Sequence, residues 1–310
     1  MKVRFIQILI SATLVVLIFS KIDFQKIAYI FKNINLLFFG LALLISIVGL
    51  LINTKKWQIL LSANEIFIPY RILIKQNFLS IFYSIALVGQ LSGELMKAYR
   101  ITRGQQNKIK IVSSILGDKV SGILVLFLIA AVLSFFSPQH NFSLFYPFVI
   151  LSIAGAGIVF TSFYVPIDFI NAVAGRVKFP KIKKIISHFS ELIASYQIYG
   201  KNKRIFCLTF IIAFLYQFLI TISFLLVGES INIHLSFIQY LWVFSLLSIS
   251  LLIPLSIAGL GIREGSLIFL MGLFNVPAEQ ALGASLLLFV ITVIMGGVGA
   301  IFELTQKQLH

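Results

Sequence analysis

Charge is scarce in this chain, and negative charge scarcest of all. Only 11% of its 310 residues are charged, with 10 Asp+Glu against 25 Lys+Arg, where a soluble domain carries about a quarter. So little polar surface cannot coat a globule in water, which excludes a soluble enzyme, a disordered chain and a nucleic-acid module with a membrane tail. Cysteine is nearly absent. Cys207 stands alone in an apolar run, forms no internal disulfide and reads as inert packing. The four histidines, His140, His188, His234 and His310, are scattered and give no metal-ligand spacing. No G-x-x-x-x-G-K-[ST] phosphate loop is present, so nucleotide-driven chemistry has no cradle. These absences point away from an enzyme: no catalytic residue, no metal and no cofactor is expected.

What the chain has is hydrophobic length. Apolar residues make up 59% and the mean hydropathy is +1.03. At roughly 20 residues per helical crossing, that supplies about six to eight spans. The expected fold is an all-α, polytopic integral membrane helix bundle forming one membrane domain over residues 1–310. The apolar runs are Phe5–Phe19, Leu36–Ile52, Ile111–Phe136, Leu144–Val165, Ile205–Val227, Ser236–Ile253, Ser266–Phe274 and Ala281–Phe302. Phe78–Gly93 is shorter and runs into a Gly-Glu pair, and Ser266–Phe274 is too short to cross alone. The first run follows Lys2 and Arg4 as a signal peptide would. It lacks a small-x-small cleavage site, so an uncleaved helix is expected.

The net charge of +15 reads as orientation rather than nucleic-acid binding, because basic residues accumulate in cytoplasmic loops. With the N-terminus inside, residues 53–110 hold nine Lys+Arg and residues 166–204 hold eight, whereas 137–143 and 228–235 hold none. The chain thus divides into a first half (1–165), a basic cytoplasmic linker (166–204) and a second half (205–310), with a multi-pass cell-membrane location. Within the linker, Ile182, Ile185, Ile186, Phe189, Leu192, Ile193 and Tyr196 recur at helical spacing. They describe an amphipathic helix in the inner headgroup plane, either drawn to anionic lipid or simply joining the halves.

Charges inside apolar regions are costly and face a protein interior or a wet cavity. Three groups qualify. Glu94, Lys97 and Arg100 follow Gly93 at spacings of three, near one helical face. Asp118-Lys119 interrupts the run Ile111–Phe136. Arg263-Glu264 ends the stretch Pro254-Leu-Ser-Ile-Ala-Gly-Leu-Gly-Ile, in which Pro254, Ser256, Gly259 and Gly261 break any regular helix. Broken backbone at membrane depth survives only when it is buried in protein or lines water, and half-helix N-termini suit an anion. The alternative for this stretch is an exposed loop between ordinary helices. For Asp118-Lys119 it is an ion pair near a helix end with the lysine reaching the surface. Leu87–Arg100 and Leu252–Glu264 resemble each other in passing from apolar residues through a Gly/Ser corner to a Glu. That suggests two re-entrant or broken segments in a weak internal repeat, inverted if they enter from opposite sides.

Lys56-Trp57, Gly93-Glu94-Leu95 with Lys97, Asp118-Lys119 and above all Pro254-Leu-Ser-Ile-Ala-Gly-Leu-Gly-Ile-Arg-Glu264 carry a resemblance. The chain resembles the flippase-like membrane family that includes the transmembrane region of lysylphosphatidylglycerol synthases, over about residues 20–303. The resemblance implies a bundle with two re-entrant segments that moves a lipid headgroup between leaflets, or handles an isoprenoid-linked or aminoacylated lipid. Three positions depart from the family's pattern: Gly89 stands near where proline begins the first break, and Lys97 and Lys119 stand where arginine is usual. No soluble transferase domain lies within these residues, so synthase activity is not carried over. The function expected is a lipid flippase whose substrate-binding residues are Glu94, Lys97, Arg100, Asp118, Lys119, Pro254, Ser256, Gly259, Gly261, Arg263 and Glu264. Its cargo would be a phospholipid or polyprenyl phosphate, moved downhill or coupled to an ion or proton. The alternatives are a non-catalytic membrane partner of a lipid-modifying or glycosyl-transferring enzyme and, third, an embedded lipid-phosphate enzyme.

Overall fold

The computed structural model describes residues 24–86, 92–135, 142–162, 193–194, 197–199, 201–252 and 259–307. Among these the secondary structure is helical, with no strand. In chain order the helices are α1 (Phe24–Lys32), α2 (Leu36–Ala63), α3 (Tyr70–Ala86), α4 (Ser92–Thr102), α5 (Lys108–Phe135), α6 (Phe142–Ser162), α7 (Lys203–Ser230), α8 (Phe237–Ser250), α9 (Ile262–Gly272) and α10 (Ala278–Lys307). Local chemistry sets several starts. Asn35 accepts the amides of Leu37 and Phe38, Asn202 accepts that of Ile205, and Ser236 and Gln239 form a reciprocal box ahead of α8; each satisfies amides that have no partner within the helix.

Four helices, Leu36–Ala63, Lys108–Ser134, Lys203–Ser230 and Ala278–Thr305, are long and apolar enough to cross a membrane, with shorter apolar helices at Val149–Ile158 and Phe237–Ser250. Twenty-eight residues extend about 42 Å at 1.5 Å per residue, more than the ~30 Å hydrocarbon layer. The outward faces are apolar, as a lipid-facing surface requires: Leu37, Ile150, Ile153, Ile158, Ile211 and Ile301 are all more than half exposed.

The same order of lengths, long–short–short–long, occurs as α2–α5 and again as α7–α10. Its two first members lie side by side and antiparallel. The Asn35 amide donates to Ser230 O, Ser46 Oγ meets Ser223 Oγ at 2.8 Å, and Gly49 lies under Tyr216 and Ile220. The short first helix of each set packs on the long last helix of the other: α3 meets α10 where Gly299 touches the backbone of Phe78, and α8 meets α5 where Trp242 Nε1 donates to Ser134 Oγ. One core of aromatic and aliphatic side chains therefore spans both halves, including Phe78, Phe224, Tyr240, Trp242, Leu267 and Met271.

Two expectations change. The apolar run puts a span end at Ile52 and a cytoplasmic segment from residue 53, yet α2 continues to Ala63. Lys56 does not end it, because the side chain is 2% exposed and ion-paired inside the bundle. The run Ser236–Ile253 yields only the 14-residue α8, about 21 Å long and too short to cross alone. The first run Phe5–Phe19, the loop 137–141 and most of the linker 166–204 lie outside the described residues.

Candidate functional site

The polar interior forms two clusters, one per half, each built around a glutamate in the first turn of an 11-residue helix. In the first half α3 and α4 fold back on each other: Ser92 Oγ donates to Tyr83 O, and Gly93 lies against Ser80, where an added Cβ would stand 2.2 Å from the Ser80 carbonyl oxygen. Glycine at 93 thus allows the approach that brings Glu94 into the bundle. Glu94 binds two ammonium groups, Lys97 at 2.9 Å and Lys119 of α5 at 3.2 Å. A negative charge this close to the start of α4 also meets the positive end of the helix dipole.

Lys97 is fully engaged. It is 2% exposed, donates to Asn77 Oδ1 at 3.2 Å and lies over the Trp57 ring, 4.3 Å from its centroid. Asn77 in turn donates to Thr54 Oγ1, and Trp57 Nε1 to Ser114 Oγ. Asp118 pairs with Lys56 at 3.1 Å, both buried, and Lys56 also donates to the Asp118 carbonyl at 3.0 Å. Asp118 and Lys119 are neighbours in sequence, but each turns to a different helix. Arg100 leaves the Glu94 group and reaches Glu303 near the end of α10, 2.6 Å away.

In the second half, Gly259 and Gly261 have φ of 79° and 83°, values that favour glycine, and they turn the chain into α9. Glu264 reaches back to the Gly261 amide at 2.6 Å through Oε2. Its Oε1 accepts from Arg263 and from Ser285 Oγ of α10, while Arg263 Nε donates to Ser285 Oγ at 3.0 Å. The guanidinium lies 4.8 Å from the centre of the Phe289 ring. Nη1 makes none of these bonds, and Arg263 forms part of the wall of a central cavity of about 340 Å³. That cavity lies among α2, α3, α7, α8, α9 and α10 and is mostly apolar, with Ser46, Ser84, Tyr216 and Thr292 among its lining residues.

Of the residues expected at the site, Glu94, Lys97 and Lys119 come together, with Asp118 beside them on Lys56. Arg263, Glu264, Gly259 and Gly261 form the second cluster, and Arg100 stands apart with Glu303. The single groove expected to hold both sets is instead two clusters, of which Arg263 alone lines the central cavity. Pro254 and Ser256 lie outside the described residues. Lys56, Thr54, Asn77, Ser114, Ser285, Tyr216 and Glu303 were not among the expected site residues. Asn77, Ser114 and Ser285 carry no signal in sequence beyond being polar within apolar stretches, and Lys56 stands in the polar stretch Asn53-Thr54-Lys55-Lys56, which reads as the end of a span. No group of three His, Cys, Asp or Glu able to hold a metal ion occurs among the described residues.

No curated protein and no solved structure matches the chain significantly. A family match covers residues 4–299, nearly the whole length. The four long apolar helices agree with a membrane domain, and the chain belongs to the family described as the lysylphosphatidylglycerol synthase TM region.

Proposed function

We propose that this integral membrane protein is a lipid translocase, without enzymatic activity of its own, that carries a polar or phosphate headgroup between leaflets. The observation that supports it most is the central cavity between the two halves, apolar over most of its wall and bearing one guanidinium, Arg263. A cation beside polar residues suits a headgroup, and apolar walls suit the glycerol backbone and the first carbons of the tails. The family's description names a modified phospholipid, which makes phospholipids the first cargo class to test, polyprenyl phosphates the second.

The antiparallel pair α2 and α7, each opening a long–short–short–long set, supports reading the halves as inverted repeats, with α3–α4 and α8–α9 as hairpins entering from opposite faces. Lys55, Lys108, Lys110, Lys203 and Arg204 gather at the end of the bundle where α2 stops and α5 and α7 start. By the positive-inside rule that end is cytoplasmic, along with the N-terminus and the 166–204 linker. A membrane enzyme that makes or consumes the lipid is the partner such a carrier would serve.

The test is purified protein in liposomes with headgroup-labelled phosphatidylglycerol or polyprenyl phosphate and a membrane-impermeant quencher. Wild type should expose inner-leaflet label faster than empty liposomes, and the double variant Arg263→Ala/Glu264→Ala should not. Background rates for every lipid with wild type, or no loss in the double variant, would overturn the reading. A changed lipid mass would indicate an enzyme instead.

A further inference from the structure

A second cavity, of about 310 Å³, lies where α1, the turn after α7 and the start of α10 meet. It shares no lining residue with the central cavity. The basic end of the bundle is the far one, because α7 runs from Lys203 there to Ser230 here and α2 runs back from Leu36 to Ala63. The bond from the Asn35 amide to Ser230 O fixes this corner. Gly283 of α10 leaves room for Ile30 and Ile231, which an added Cβ would touch at 3.4 and 3.5 Å, and both belong to the cavity wall.

The polar part of that wall carries both signs of charge. Lys26 Nζ and Glu279 Oε1 are 3.1 Å apart, with side chains 64% and 19% exposed. A pair so open to solvent is weak and exchanges readily for other partners. Asn33 donates through Nδ2 to Tyr29 O, and its Oδ1 accepts from no described residue. The Gln280 side chain also has no hydrogen-bond partner among the described residues, so two amide oxygens remain for a donor. Tyr29, largely exposed, adds an aromatic ring to the wall, a group that attracts alkylammonium ions. Leu36 and Leu37, three and four residues beyond Asn33, are exposed as well, so the apolar surface of α2 begins beside the pocket. Charges and amides next to an exposed tyrosine and apolar surface mark the interfacial layer, where headgroups lie.

We infer that this pocket is a second lipid site, one that takes a headgroup bearing both a phosphate and a primary amine. Phosphate oxygens accept from Lys26, while the amine donates to Glu279 and to the amide oxygens of Asn33 and Gln280, beside the Tyr29 ring. Such a headgroup satisfies both charges of the pair it separates. A phosphodiester without an amine satisfies Lys26 alone and leaves Glu279 facing a second negative charge. Phosphatidylethanolamine and aminoacylated phosphatidylglycerol each have the two groups, the latter in keeping with the modified phospholipid named in the family's description. A lysine makes point-charge rather than bidentate contacts with phosphate, so arginine at 26 preserves the site. The inference stands on this pocket and not on the translocase reading.

The experiment reads occupancy at this pocket alone. Full-length protein with Cys207→Ala and Asn232→Cys, the latter in the cavity wall, is labelled in detergent with a maleimide while short-chain lipids are titrated in. Phosphatidylethanolamine and lysyl-phosphatidylglycerol should slow labelling at concentrations about tenfold or more below phosphatidylglycerol, the worth of one hydrogen bond to a charged group. Adding Glu279→Gln should remove that preference, and adding Lys26→Arg should keep it. No protection, equal protection by the three lipids, strongest protection by phosphatidylglycerol, or an unchanged preference with Glu279→Gln would overturn the inference. Should Glu279→Gln fail to fold, the ranking in its parent decides. Free phosphoethanolamine that protects as well as the lipid would overturn the assignment to lipid. Transport in the liposome assay without protection here refutes this site and spares the translocase, whereas protection without transport does the reverse.

Discussion

The buried pair Lys56–Asp118 gives the sharpest test of how the first half is held together. The ammonium and carboxylate are 3.1 Å apart, with side chains 2% and 6% exposed. At that distance Coulomb's law with an effective dielectric of about 20 gives roughly 5 kcal/mol of attraction, much of it offset by the loss of hydration of both ions. Asp118→Leu leaves Lys56 enclosed without a counter-charge, a change that costs about 3–5 kcal/mol. The bond from Lys56 Nζ to the Asp118 carbonyl survives that substitution, so the lower end, ~3 kcal/mol, is expected. Lys56→Met with Asp118→Leu removes both charges and should return stability to within about 1 kcal/mol of wild type. Unfolding in mixed micelles titrated with SDS, followed by far-UV circular dichroism, measures all three. A single variant costing under ~1 kcal/mol, or a double variant as unstable as the single, would show that the pair is not the enclosed, mutually dependent unit argued for.

Arg100 and Glu303, with side chains 21% and 17% exposed, join α4 to α10 across the halves in partial contact with solvent. Arg100→Ala should cost less than about 1 kcal/mol, and the swap Arg100→Glu with Glu303→Arg should recover most of it in the same titration. Gly93→Ala drives a methyl to 2.2 Å from the Ser80 carbonyl oxygen, forcing α3 and α4 apart at a cost of about 1–3 kcal/mol. Gly157→Ala on α6 meets no atom within 4 Å and should be neutral or stabilising by up to about 1 kcal/mol; equal effects of the two would contradict the close approach. The two ends of α7 should face opposite sides. In a Cys207→Ala background, Asn232→Cys should react with an impermeant maleimide on intact cells and Lys201→Cys only after permeabilisation, and the opposite pattern would invert the orientation.

Hydrophobic run length located the long helices to within a few residues, because a crossing helix needs an apolar surface whatever it packs against. It failed at α2, where Lys55-Lys56-Trp57 looks like a membrane boundary. The partner that lets Lys56 stay inside, Asp118, is 62 residues away and invisible to any local window. Adjacent Asp118 and Lys119 suggest each other as partners, but consecutive helical residues point about 100° apart, so one meets α2 and the other α4. Glu303, just past the last apolar run, gave no hint of its role for the same reason, its partner Arg100 lying in the other half. The glutamates were legible because helix breakers stand just before them: Gly93 permits a close approach and Gly261 a positive φ. Ser285 and Asn77 were not, since a hydroxyl or amide within a span means little until the charge it serves is known.

Helix α10 ties these observations together. Near its start Glu279 binds Lys26 at 3.1 Å, and near its end Glu303 binds Arg100. The two anchors are 24 positions apart, about 36 Å along the helix, roughly the separation of the two membrane surfaces. Between them Leu288, Phe289 and Thr292 form cavity wall. The helix that borders the cavity is thus fastened to the first half at both ends, and both fastenings are closed here. Each is a partly exposed ion pair, of a kind worth about 1 kcal/mol or less, comparable to thermal energy. The buried Arg263–Glu264 pair holds α10 by a different means, through Ser285 Oγ, so α10 stays joined to α9 when the two end pairs part. On the translocase reading proposed above, parting these weak end pairs one at a time is the motion that would open the cavity to either side.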